Sequence, residues 1–215
     1  FTPVIDVANM GDSDSEGVVC ISGLDEGIFS GFTGCECQDF TIYSDDKDGE
    51  TTQELEFGPY RIRTEDTQDA VMTAITRYSY KTTGTAKACI KKDIYSSTGC
   101  QTDDITKRKR NMLTRSSSGA VLIDKVTETI IPVDKETITL TFNIEVEKAS
   151  EGDIYDSSKT IYPSCRGEDK QNKEVTGSIE GLPEGRITCS GAELNEDGKG
   201  TLTCEAGNIR LMDSS

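Results

Sequence analysis

Histidine and tryptophan are absent from this 215-residue chain, proline occurs five times, and aromatic residues make up only 6% of it. Without histidine there is no Ser-His-Asp or Cys-His arrangement and no imidazole-based metal site. No phosphate-cradling glycine loop and no Asn-x-Ser/Thr sequon is present. No apolar run approaches the roughly 18 residues of a membrane span, so no direct membrane insertion by this segment is expected. Positive charge is scarce as well: 23 Lys and Arg stand against 39 Asp and Glu, a net charge of -16. That balance argues against nucleic acid and against anionic membrane surfaces as partners. Paired carboxylates remain a route to glycoside hydrolysis, but the seven Tyr and six Phe are dispersed as core residues, not gathered as sugar platforms. The chain reads as a non-enzyme.

Cysteine is what the chain does have. Eight cysteines in 215 residues, with strongly acidic and Gly-rich surroundings, fit an oxidising compartment. Cys20, Cys35, Cys37, Cys89 and Cys100 fall in the first half, and Cys165, Cys189 and Cys204 in the second. Complete pairing inside one chain therefore needs at least one bridge between the halves; free thiols or a bridge to another chain are the alternatives. Cys89 with Cys100 and Cys189 with Cys204 are the easiest pairs, each closing a short loop for roughly 3 kcal/mol. Cys35 and Cys37, on one face if extended, are expected to take different partners, with Cys20 and Cys165 the candidates. Connectivity itself is not readable from spacing. The lack of a Cys-x-x-Cys pair and of histidine counts against zinc. Phe1 is not an initiator residue, so the chain is read as what remains after removal of an upstream signal or anchor.

The clearest local pattern covers residues 136–147, where Ile138, Leu140, Phe142, Ile144 and Val146 alternate with polar residues, the mark of a half-buried strand. Residues 121–131 are rich in β-branched side chains, and a polar turn after Pro132 predicts an antiparallel pair. Residues 175–181, 186–189, 201–204 and 208–212 read as further short strands. In the first half the candidates are 4–7, 17–22, 40–43, 53–57, 70–80 and 85–91. No stretch sustains a helical period. Short strands with turns every 8 to 12 residues predict an all-β chain of two immunoglobulin-like β-sandwich domains in tandem. The expected division is 1–106, a basic Ser-rich linker at 107–119, and 120–215. One internal echo, Ile21 to Gly27 against Ile179 to Gly185, is attributed to shared turn chemistry.

Three features offer sites. The basic run Lys107, Arg108, Lys109, Arg110 and Arg115 can dock on the acidic face of another copy, or be a solvated linker. The leading segment Phe1, Val4, Ile5 and Val7 can be donated to another subunit's sheet, or be the first strand of its own domain. Asp12, Asp14 and Glu16, and Asp45, Asp46 and Asp48, form acidic loops ahead of glycines, candidates for calcium; a third run, Asn195 to Gly198, is similar. None completes a helix-flanked calcium loop, and an acidic chain contains such runs by composition.

Residues 17–24 (Gly-Val-Val-Cys-Ile-Ser-Gly-Leu), 31–37 (Gly-Phe-Thr-Gly-Cys-Glu-Cys), 57–60 (Phe-Gly-Pro-Tyr) and 88–96 resemble a poorly characterised group of archaeal secreted or membrane-anchored proteins with cysteine-containing β-sandwich domains. The resemblance implies an exterior location and an anchor or signal upstream, and it carries over no functional residues. The resulting expectation is an extracellular structural subunit of a filament or surface layer, partnered by copies of itself or by other cell-surface proteins. An adhesin or ligand-binding module acting through sandwich-end loops is the alternative.

Overall fold

The computed structural model of the protein describes residues 1–9, 13–44, 51–63, 69–88, 113–117, 119–134, 136–149, 151–154, 165, 174–182 and 185–210. Among these residues every regular element is a strand and no helix occurs. The chain is therefore all-β. It divides into two compact units, one of Phe1–Lys81 with Ser158–Lys170 and one of Thr82–Ser157 with Gln171–Ser215.

The first unit holds β1 (Val4–Ala8), β2 (Ser15–Ser22), β3 (Phe29–Ser30), β4 (Cys35–Ile42), β5 (Thr52–Glu56), β6 (Arg61–Ile62) and β7 (Thr73–Tyr78). They pair antiparallel as β4-β2-β7, β1-β5 and β3-β6. Side chains alternate across a strand, so Val19 and Ile21 of β2 share a face with Phe40 and Ile42 of β4. These four join Leu55 of β5, Phe29 of β3 and Leu24, Phe32, Phe57 and Tyr60 in one buried cluster, with Ile5 and Val7 of β1 packed on it. On the opposite face Val18 and Cys20 are buried too. The unbroken apolar run from Val18 to Ile21 thus belongs to a central strand covered on both sides. Gly17 lies opposite Phe40 and Tyr78; a Cβ there would come 2.6 Å from Phe40 Cζ and strike the carbonyl oxygen of Arg77.

The second unit holds β8 (Gly84–Ala86), β9 (Leu113–Ser116), β10 (Val121–Pro132), β11 (Thr137–Lys148), β12 (Glu174–Val175), β13 (Ser178–Leu182), β14 (Gly185–Thr188), β15 (Ala192–Glu193) and β16 (Lys199–Arg210). Its main sheet is β10-β11-β16, with the two-stranded pairs β8-β9, β12-β15 and β13-β14. The expected antiparallel pair is the β10-β11 hairpin, turned at Asp134, whose Oδ1 accepts the Glu136 N–H at 2.8 Å. That hydrogen bond holds the Asp134 carboxyl below its usual range. Ile138, Leu140, Phe142, Ile144 and Val146 supply the middle of the core, joined by Val126 and Ile130 from β10 and Leu202, Cys204, Ala206 and Ile209 from β16.

The inward set of β16 changes phase after Ala206. Leu140 faces Ala206 while Ile138 faces Ile209, so Gly207 and Asn208 stand against Thr139 alone. This bulge explains why residues 201–204 and 208–212 read as separate segments: the alternation breaks although the strand continues. The residues expected as a linker also differ. Leu113–Ser116 is a strand whose Arg115 lies opposite Thr85, and Leu113 packs against the second core. A Ser- and Arg-bearing edge strand has the composition of a linker, and only Leu113 marks it as part of a fold. The chain first leaves the first unit between Lys81 and Thr82 and returns to it over residues 158–170, while Lys107, Arg108, Lys109 and Arg110 lie outside the described residues. In the echo, Gly23 and Gly181 both adopt positive φ, 90° and 86°, which is the shared turn chemistry.

Leu140, wholly buried, sits where truncation leaves a cavity: Leu140→Ala is expected to cost about 2–5 kcal/mol. Gly17→Ala is expected to cost about 1–3 kcal/mol by overpacking. Urea unfolding measures both, and a Gly17→Ala protein as stable as wild type would contradict the packing of Phe40 over β2.

Candidate functional site

Two adjacent disulfides occupy the outer face of the β4-β2-β7 sheet. Cys35 and Cys37 are two residues apart on β4 and therefore share a face. Register places Cys20 opposite Cys37 and Ser22 opposite Cys35, which brings Cys20 to the same face. The fourth sulfur comes from far along the chain. Cys20 is bonded to Cys37, and Cys35 to Cys165 across a sequence separation of 130. The Sγ atoms of Cys35 and Cys37 lie 3.9 Å apart, and those of Cys20, Cys37 and Cys165 lie within 4.8 Å of one another. Cys165 Sγ also lies 3.0 Å from the Ile21 carbonyl oxygen. Oxidised sulfur carries no proton, so these approaches are packing contacts. The four atoms grade from buried to open: Cys20 is fully buried, Cys37 and Cys165 half-buried, and Cys35 exposed.

In the chain-entropy account a closed loop of 17 residues stabilises by about 3 kcal/mol and one of 130 by about 5 kcal/mol. A further bridge, Cys189–Cys204, closes 15 residues inside the second core, with both sulfurs buried. Cys89 and Cys100 lie outside the described residues. These three disulfides place the chain outside the reducing cytoplasm. No helix among the described residues is long and apolar enough to cross a membrane.

Beneath the sulfurs, on the core face, Glu36 accepts a hydrogen bond from the Tyr60 hydroxyl at 2.7 Å. Burial raises the Tyr60 pKa well above its ordinary value, and the hydrogen bond and negative charge of Glu36 raise it further. Tyr60 is anchored by edge contact with Phe32 and by its N–H, which donates to the Phe1 carbonyl at 2.8 Å.

The leading segment belongs to its own unit. Val4 to Ala8 pairs with β5 from Glu56 back to Thr52, Ile5 and Val7 face the core, and Phe1 rests on Phe29. Val4 remains exposed on the edge strand β1. Of the calcium candidates, Asp14 Oδ1 accepts the Ser44 N–H at 3.1 Å and Glu16 lies within β2. Asp12, Asp45, Asp46 and Asp48 lie outside the described residues. In the third run Asn195 Oδ1 accepts the Lys199 N–H at 2.8 Å, so that side chain serves the turn.

Sequence reasoning passed over the other edge of the first unit. Among the described residues β7 ends the β4-β2-β7 sheet; Val71 and Met72 lead into it and Tyr78 closes it, and they are 76%, 36% and 48% exposed. The signal was there to find: residues 70–80 hold one charge, Arg77, in a chain that is 29% charged.

Graded reduction followed by alkylation and peptide mass spectrometry is expected to label Cys35 and Cys165 first and Cys189 and Cys204 last; the reverse order would contradict the burial described. The Tyr60 hydroxyl keeps its proton in the folded chain after the unfolded chain has lost it. Its contribution is therefore complete below about pH 10, the unfolded value, and is lost as pH rises through the folded value. Tyr60→Phe is expected to cost about 1.5–3 kcal/mol at neutral pH through the lost charged hydrogen bond. It is also expected to flatten the alkaline loss of stability, read from urea midpoints on both sides of pH 10.

No protein-family model, no curated protein and no solved structure matches this chain.

Proposed function

We propose that this chain is an extracellular structural subunit of a cell-surface filament or layer, built of two immunoglobulin-like β-sandwiches and associating with copies of itself. The observation that carries this reading is the edge strand β7 with its exposed Tyr78, preceded by the exposed Val71 and Met72. An open edge with apolar side chains and little charge is a template for strand addition. Elsewhere the acidic surface repels another copy, since each carries a net charge of -16. The weakly charged edge is where two copies approach at least cost.

Among the described residues β1 supplies a second open edge, in a different sheet. Pairing β7 of one copy with β1 of the next is a heterologous contact, and such contacts propagate into rings or filaments. The leading segment thus acts as acceptor while staying in its own unit. The disulfides suit an exterior setting where a polymer has no repair, and the resemblance to archaeal surface proteins supports the same location. Repulsion between acidic copies is screened by salt, so assembly should grow with ionic strength; calcium on the acidic loops would act in the same direction.

Light scattering with negative-stain imaging, across salt, calcium and reductant, tests this. Wild-type protein is expected to form filaments or sheets, and Val71→Lys with Tyr78→Lys is expected to abolish them while leaving stability within about 0.5 kcal/mol, as for other surface changes. A monodisperse monomer under every condition would sink self-assembly and favour an adhesin. Polymers that persist in the double variant would remove β7 from the contact.

A further inference from the structure

The sulfurs of Cys20, Cys37 and Cys165 lie within 4.8 Å of one another, and that of Cys35 is bonded to Cys165 and 3.9 Å from Cys37. We propose that, when both bridges are reduced, these four residues form a tetrahedral thiolate site for Zn2+. The same residues then have an oxidised, bridged state and a reduced, metal-held state.

Zinc holds four thiolates at about 2.3 Å, which sets neighbouring sulfurs about 3.8 Å apart. Cys35 and Cys37 already stand at 3.9 Å, and Cys20, Cys37 and Cys165 lie within a 4.8 Å limit. The two bonded pairs must separate when their bonds break, and Cys35, which stands outside that 4.8 Å group, must close on Cys20. Three of the ligands are fixed by the β2-β4 register and the fourth closes over them. No Cys-x-x-Cys is needed, because a cross-strand pair and a Cys-x-Cys on one face gather the same set.

Four sulfurs and no oxygen ligand select a soft or borderline cation over calcium or magnesium. The site carries two negative charges when filled. Arg77 lies opposite Val18 on the same face of the sheet, next along from Ile75, which is opposite Cys20. The burial of Cys20 keeps part of the site from water.

Each bridge is opened by two equivalents of a small-molecule thiol, which leave as their own disulfide while two protons pass to the freed cysteines. Zinc then displaces four protons from the four thiols.

Full-length protein, reduced without oxygen, is titrated with Co2+ as a spectroscopic stand-in and then with Zn2+. One equivalent is expected to give the visible bands of tetrahedral tetrathiolate cobalt, bleached by zinc. Cys165→Ser is expected to lose that spectrum, and Cys189→Ser with Cys204→Ser to keep it. Zinc-loaded protein should also resist alkylation at the four cysteines and not at Cys189 or Cys204. The proposal is overturned by reduced wild type that binds no cobalt, by a tetrathiolate spectrum that survives Cys165→Ser, or by one that vanishes with Cys189 and Cys204.

Discussion

The pairing of β2 with β4 sets Cys20 opposite Cys37 and Cys35 two residues along the same face. A slip of one residue in that pairing would turn Cys35 and Cys37 inward and send Phe40 and Ile42 out of the core. The first core and the sulfur cluster are therefore two faces of one register. The Cys20–Cys37 bridge pins it covalently, and the buried run Val18 to Ile21 pins it by burial on both sides. Glu36 lies between the two cysteines with its side chain on the reverse face, where it receives the Tyr60 hydroxyl. The disulfide pair and the Tyr60–Glu36 hydrogen bond thus lie on opposite faces of the same short stretch of strand.

In the second unit no such cluster is present among the described residues, and the long strands carry the structure. Five inward residues of β11 meet both neighbours, so this strand is to its sheet what β2 is to the other. Cys189–Cys204 ties the β14 end to β16 within the core. Lys125 and Glu145 pair across β10 and β11 at 2.9 Å, a half-buried contact still open to solvent and worth about 1 kcal/mol. Apolar alternation, not surface charge, decides this sheet.

That difference explains what the sequence revealed. β11 is plain because its apolar alternation runs unbroken from Ile138 to Val146, whereas β10 is legible from its β-branched residues, its alternation being broken by a bulge between Ile123 and Lys125. The start of β4 is not, since Cys35-Glu36-Cys37-Gln38 shows no apolar alternation and extends only because its sulfurs and β2 hold it. β3 and β6 are two residues each, too short for any period. β9 looked like linker because its neighbour β8 pairs with it from a distance of nearly thirty residues, and no local pattern encodes a distant partner. Elimination leaves Cys20 and Cys165 as the candidate partners of Cys35 and Cys37, but the closeness of the Cys20, Cys37 and Cys165 sulfurs depends on register, which spacing alone does not specify.

The chain passes between the two units three times, after Lys81, Ser157 and Lys170. On a ribosome the first unit is thus begun early and closed late: Cys35 is made long before Cys165, and the whole β10-β11 hairpin is made between them. Domains that are contiguous in sequence fold as they emerge, but this one cannot be completed until most of its neighbour has been synthesised. The two units are therefore a single product of translation, and a chain that stops before residue 165 leaves Cys35 exposed without its partner.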